Sequence, residues 1–178
     1  VRNTLSLHDA LPIYLVPELI LVFNRKEGGW CEGFSEGPIP LFCLPLLQRF
    51  SDYPVYVFSE EDSVREGYFS GFISTSYSSG SASPEKTDWS PLAGRDVVII
   101  PDNTKASRKR AREAARILKS LNGDASVKIV NPDILYEEGQ SFAGFIRSCV
   151  NVPQEEIKAQ IDSAVYFAEV FAGAESMD

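Results

Sequence analysis

The chain has 178 residues, 44% apolar and 24% charged, with a formal net charge of −8. This is enough apolar material for one domain with a hydrophobic core, and it excludes the low-hydrophobicity, high-charge regime of disordered chains. The acidic balance also excludes a protein that binds nucleic acid over its whole surface, since phosphate neutralisation takes clustered Lys and Arg; a local basic face remains open.

Val1 to Ile13 reads like a translated sequencing adapter of the kind found at the ends of assembled open reading frames. It is treated as a non-native tail, the rival reading being a genuine short polar arm. The only histidine, His8, falls inside it and is therefore not promoted to a catalytic base. Cys31, Cys43 and Cys149 are widely spaced and have no C-x-x-C partner or nearby histidine. They read as reduced core thiols with no zinc site. The longest apolar run, Ile13 to Phe23, is broken by Pro17 and Glu18 and falls short of the roughly 18 residues that a membrane span needs. No signal peptide is recognisable, so a cytoplasmic protein without membrane partners is expected.

In chain order, Leu19 to Phe23 and Trp30 to Phe34 flank a Gly-containing turn and predict a β-hairpin. A short helix is expected within Leu41 to Phe50, after Pro40. Val55 to Phe58 reads as a buried strand feeding a helix over Glu60 to Tyr68, and Phe72 to Thr75 as a second strand. Ser76 to Ser83 reads as an exposed loop. Val97 to Ile100, four branched residues ending at Pro101-Asp102-Asn103, is the clearest buried strand. From Ala106 to Leu121, Ala111, Ala114, Ala115, Leu118 and Leu121 form an apolar stripe with basic residues largely off it, and Gly123 is a stop signal. Val127 to Val130 gives a further strand and Glu155 to Phe171 a final helix introduced by Pro153.

Strand, helix, strand, loop, strand, helix, strand is the order that gathers functional loops at the carboxyl ends of parallel strands. Ser59 to Asp62 and Asp102 to Ser107 then share one sheet edge. Acidic clusters at neighbouring strand ends suit a divalent metal, because Mg2+ takes one or two carboxylates and keeps substrate phosphates and water.

Two strings carry a family resemblance. PLFCLPLLQRFSDYPVYVFSEED is similar to the segment of Toprim-containing primases in which a PLYxLxxL stretch leads into a strand and a V-E-G-E-K type motif. TDWSPLAGRDVVIIPDN resembles the next segment, where D-W-S-P-L-x-G-R-D-V introduces the strand bearing P-D-x-D. RKRAREAARIL and SVKIV fit the two elements after that. The resemblance covers about Pro40 to Val130 and points to the Toprim domain of phage- and plasmid-type DNA primases, replication proteins of mobile elements. It implies an α/β fold with a mostly parallel, Rossmann-like sheet flanked by helices. It also implies a glutamate for acid/base work and a D-x-D pair holding Mg2+ during phosphoryl transfer.

Carried over residue by residue, the acidic motifs are degenerate. Ser59 stands at the family's glutamate position and Glu60 at its glycine; Asp102 matches the first aspartate, Thr104 replaces the second, and Ser107 replaces a glycine. Glu137 to Ile146, where relatives have a further acidic stretch, reads EEGQSFAGFI. Glu60 or Glu61 is the substitute catalytic carboxylate, reached by a one-residue slip, against the plainer role of acidic residues at a helix start. Asp102 is the metal candidate, against a turn or N-cap role. Asn103, Lys105, Arg108, Lys109, Arg112 and Arg116 are the candidate phosphate or nucleic-acid contacts, against a solvated helix face.

The expected organisation is a tail over 1–13, a β-hairpin appendage over 14–39, a Toprim-like domain over 40–150, and a C-terminal helix over 151–178. The expected function is a catalytically impaired primase-type Toprim domain that retains nucleic-acid or nucleotide binding alongside other replication domains or proteins. Mg2+ binding is weak or lost. A non-catalytic scaffold module and a divergent Toprim nuclease are the alternatives.

Overall fold

The computed structural model describes residues 23–26, 29–32, 38–77 and 84–172. The expected tail, His8, residues 14–22 and most of the Ser- and Gly-rich loop lie outside them. The chain divides into two compact units, Val1–Glu36 and Gly37–Asp178.

In the first unit β1 (Phe23–Lys26) pairs antiparallel with β2 (Gly29–Glu32), in the register Phe23 to Glu32 and Lys26 to Gly29. The hairpin is present but its strands run closer to the turn than expected. Asn24, Arg25 and Lys26 are ladder residues, leaving only two residues for the connection, the commonest hairpin length.

The second unit begins with β3 (Ile39–Pro40) and α1 (Leu44–Arg49). β4 (Val55–Phe58) leads into α2 (Glu61–Phe69) and β5 (Ser74–Ser76), two residues later than the expected start at Phe72. Phe72 is instead buried in the approach to the strand. β6 (Thr87–Asp88) pairs in parallel with β3. Then come β7 (Val97–Ile100), α3 (Lys105–Asn122) and β8 (Val127–Ile129). The chain continues through α4 (Phe142–Ser148), α5 (Gln154–Tyr166) and β9 (Glu169–Val170).

The main sheet has the order β5-β4-β7-β8-β9, parallel except for β9. Because side chains alternate across a strand, Val97 and Ile99 enter one core with Val55, Val57 and the α3 residues Ala111, Ala114, Ala115 and Leu118. Val98 and Ile100 enter a second core with Phe58, Val64, Phe142, Phe145, Ile157 and Ile161. Helices therefore cover both faces, the condition under which parallel strands are continuously apolar. Cys43 and Cys149 pack against the second core as half-buried free thiols, and burial pushes the Cys43 pKa up to about 11.

The extent of the last helix is corrected. The last helix ends at Tyr166, not Phe171; the chain turns back so that β9 pairs with β8, and the Phe171 N–H donates to Val127 O at 2.7 Å. This covers the β8 edge, whose ladder groups would otherwise be unpaired. Residues 137–146 have a structural role of their own. They form a turn and then most of α4, capped by the Ser141 hydroxyl, which accepts from the Gly144 N–H at 3.2 Å.

The D-W-S-P-L-x-G-R string is architectural. Buried Trp89 donates its indole N–H to Pro84 O at 2.8 Å, and the Asp88 carboxylate accepts from the Ser90 N–H at 3.0 Å. Gly94 takes a φ of 75°, a conformation that favours glycine. The Arg95 guanidinium donates to Leu47 O, Phe50 O and Tyr53 O, fastening the end of α1 below β4.

Candidate functional site

Phe58 at the end of β4 is paired with Ile100 at the end of β7, so Ser59-Glu60 and Pro101-Asp102 leave the sheet side by side at its carboxyl edge. The N-terminus of α3 rises beside them, with Thr104 as N-cap accepting from the Ser107 N–H at 3.1 Å.

At the centre lies a cluster of buried polar groups. Ser59 and Ser107 share a hydroxyl–hydroxyl hydrogen bond of 2.7 Å, and the Asp102 N–H donates to Ser107 Oγ at 3.0 Å and to Ser59 Oγ at 3.4 Å. The Asp102 side chain is buried, and its Oδ1 has no hydrogen-bond partner. Burial raises the Asp102 pKa to about 6, helped by the negative charge of Glu60 and opposed by the Ser59 hydroxyl, the Arg110 guanidinium and the Phe142 N–H. The Tyr77 hydroxyl is also buried without a bond that meets normal geometry; its polar neighbours are Ser59, Ser107, Arg110 and Asp102. Burial raises its pKa as well.

Of the candidate acidic residues, Glu60 is exposed at the N-cap position of α2, close enough for its charge to act on Asp102. Glu61 enters the first turn of α2 beside Asp62, where acidic groups favour the helix dipole. Asp62 is bound to Arg147 of α4 at 2.9 Å. The Ser59 hydroxyl is bonded to that of Ser107 and also stabilises the charge of the Asp102 carboxylate beside it.

The residues expected to contact phosphate fall into two groups. Asn103 and Arg108 are drawn into the fold. The buried Asn103 amide donates to Tyr136 O at 2.8 Å and Asp133 Oδ1 at 3.1 Å, while its own Oδ1 accepts from Arg108. Arg108 also reaches Asp133 at 2.6 Å and Asn131 at 3.1 Å, which holds the Asp133 carboxyl below its ordinary range. Lys105, Lys109, Arg112 and Arg116 line the exposed side of α3 and make no ion pair among the described residues.

Tyr77 and the segment before α4 were not among the candidates. That segment encloses the end of β7: the Asn103 N–H donates to Gln140 O at 2.9 Å, the Gly139 N–H to Asn103 O at 2.7 Å, and the Tyr136 hydroxyl to Pro101 O. Ser141 before an apolar run was a legible helix signal. Tyr77 carried none, since only the folded sheet brings it to Asp102.

Among the described residues there is no group of three or more His, Cys, Asp or Glu that could hold a metal ion. Asp102 and Glu60, whose charges act on each other, are the carboxylates at this edge that would hold Mg2+, with substrate phosphates and water completing the shell. No helix among the described residues is long and apolar enough to cross a membrane.

No protein-family model and no curated protein matches the chain. Solved structures do. The DnaG catalytic core aligns with a TM-score of 0.54 at 14% identity, over 85% of this chain and 49% of that one. A DNA primase domain from Pseudomonas aeruginosa aligns at 0.53 and 16%, over 84% and 46%. A DnaG primase catalytic domain bound to ssDNA aligns at 0.53 and 13%, over 80% and 44%. The chain spans less than half the length of each of these primase chains. At such identities the likeness is one of fold: a mostly parallel α/β sheet flanked by helices, as in the primase catalytic domains.

Proposed function

We propose that this chain is a Toprim-like domain of a primase-type replication protein, impaired in metal-dependent nucleotidyl transfer and retaining nucleic-acid or nucleotide binding. The observation that carries the reading is the composition of the β4–β7 edge. A buried, partly orphaned Asp102 and an exposed Glu60 stand where the fold gathers its functional groups, and Ser59 and Thr104 occupy the places of further carboxylates. If Mg2+ binds, Asp102 and Glu60 hold it, and it supplies charge neutralisation to a phosphate oxygen. With two carboxylates, most of its shell must come from substrate and water, so binding is weak without a phosphate ligand.

The binding capacity rests on α3. Lys105, Lys109, Arg112 and Arg116 recur along one side of the helix, a basic stripe with no ion pair among the described residues, on a chain of net charge −8. Such a stripe attracts phosphates through counterion release. A primase domain of this fold has been solved with ssDNA, which makes a single strand the first ligand to test.

Fluorescence anisotropy with a labelled oligonucleotide over a salt series tests this. Binding should weaken steeply with salt and vanish in the double variant Lys109→Glu, Arg112→Glu; unchanged affinity in that variant rejects the stripe. For catalysis, primer synthesis on a single-stranded template in Mg2+ or Mn2+ should be absent. Efficient synthesis lost in Asp102→Ala would overturn the impairment.

A further inference from the structure

Beside the basic stripe lies a cleft of about 600 Å3, bounded by Pro101 at the exit of β7, the first half of α3, the exit of β8 and the strand β9. Its lining joins two arginines, Arg108 and Arg112, to an apolar wall that includes Ile134, Phe167 and Val170. Glu169 is its one carboxylate. Arg108 is already committed to Asp133, which leaves Arg112 as the arginine of the cleft with no ion-pair partner among the described residues. The wall is open to solvent: Ile134 is 51% exposed, Phe167 70% and Val170 54%. Phe167 is held edge-on to Tyr166, itself 79% exposed, with ring centroids 5.2 Å apart at 87°.

We propose that this cleft is a base-stacking subsite for single-stranded nucleic acid, in which Arg112 holds a phosphate and an unpaired base lies against Phe167 and Ile134. The proposal rests on the reading of α3 as a phosphate-binding surface and specifies what that surface takes. An exposed aromatic ring in a cleft that also holds a cation is the combination that single strands use, because every base offers a stacking face once it is unpaired. A duplex keeps its bases stacked inside and cannot fill the apolar wall. The length of the stripe favours a strand over a mononucleotide: at the helical rise of 1.5 Å per residue, Lys105 and Arg116 stand roughly 16 Å apart, enough for several phosphates. Arg112 belongs to both stripe and cleft, so the backbone path along α3 passes the cleft mouth.

The test compares labelled single-stranded and duplex oligonucleotides of about sixteen nucleotides by anisotropy, using the full chain. The variants are Phe167→Ala, Ile134→Ala and the double variant Lys109→Glu, Arg112→Glu, each checked by thermal melting. Phe167 is exposed, so its alanine variant should fold. The expected result is preference for the single strand, with Phe167→Ala weakening it by about tenfold, in the range of one lost stacking contact, and leaving duplex affinity and the salt slope unchanged. Full single-strand affinity in both Phe167→Ala and Ile134→Ala, together with loss in the charge-reversed variant, would overturn the cleft and leave the basic stripe standing. Failure of every oligonucleotide to bind the wild-type chain would overturn both.

Discussion

At the residue scale Asp102 is the most informative position, because its environment opposes its charge. Its pKa of about 6 leaves it mostly ionised at pH 7, with one buried oxygen lacking a partner. That arrangement lowers stability, as groups held ready for a ligand commonly do. Asp102→Asn, which keeps shape and removes charge, should raise the melting temperature at pH 7, by roughly 1–2 kcal/mol of stability. A lower melting temperature would show that the carboxylate is a structural acceptor. The importance of Asp102 was legible in the sequence because it follows an unmistakable buried strand. The fate of Asn103 and Arg108 was not, since their partners Asp133 and Tyr136 lie more than twenty residues away and meet them only across the β7–β8 edge.

At the scale of elements, strands β4 and β7 were read to the residue, because four consecutive apolar residues between polar breaks leave no other register. Helix α3 was equally plain, with small apolar residues on one stripe and a glycine stop. Strand β9 was hidden: two exposed residues whose pairing with β8 is backbone only leave no pattern. The contact of α2 with β4 depends on Gly67, where a Cβ would stand 2.5 Å from Phe58 Cε2. Gly67→Ala should therefore cost roughly 1–3 kcal/mol through overpacking, read as a fall in denaturation midpoint; an unchanged midpoint would mean that the Phe58 ring yields freely. The starts of β7 and β8 are joined by Asp96, whose carboxylate accepts from the Ser126 N–H at 2.7 Å and the Ser126 hydroxyl at 2.9 Å. These bonds hold its pKa below the usual range. A depressed folded-state pKa means stability present above the unfolded value and lost as pH falls through the folded one. Melting curves from pH 7 down to about pH 3 should show the wild-type chain losing an advantage over Asp96→Ala of roughly 1 kcal/mol. A gap that does not narrow at low pH would contradict the assignment.

At the largest scale, two cores on opposite faces of one sheet build the α/β body of the second unit, whose carboxyl edge carries Asp102 and Glu60 and whose α3 helix carries exposed cations. The most family-like string, around Trp89 and Arg95, proved to fasten α1 and the sheet together, so the likeness to primases was legible chiefly through architecture. The chemistry was less legible because it depends on which carboxylates meet in space. The central claim is that phosphate binding has outlasted metal-dependent catalysis. The most direct measurement is single-stranded oligonucleotide affinity in EDTA and in Mg2+, for the wild-type chain, the Lys109→Glu, Arg112→Glu variant and Asp102→Asn. The account predicts salt-sensitive binding in EDTA that is lost in the charge-reversed variant and kept in Asp102→Asn. Binding that appears only with Mg2+ and disappears in Asp102→Asn would contradict it and put the acidic site in charge of the ligand.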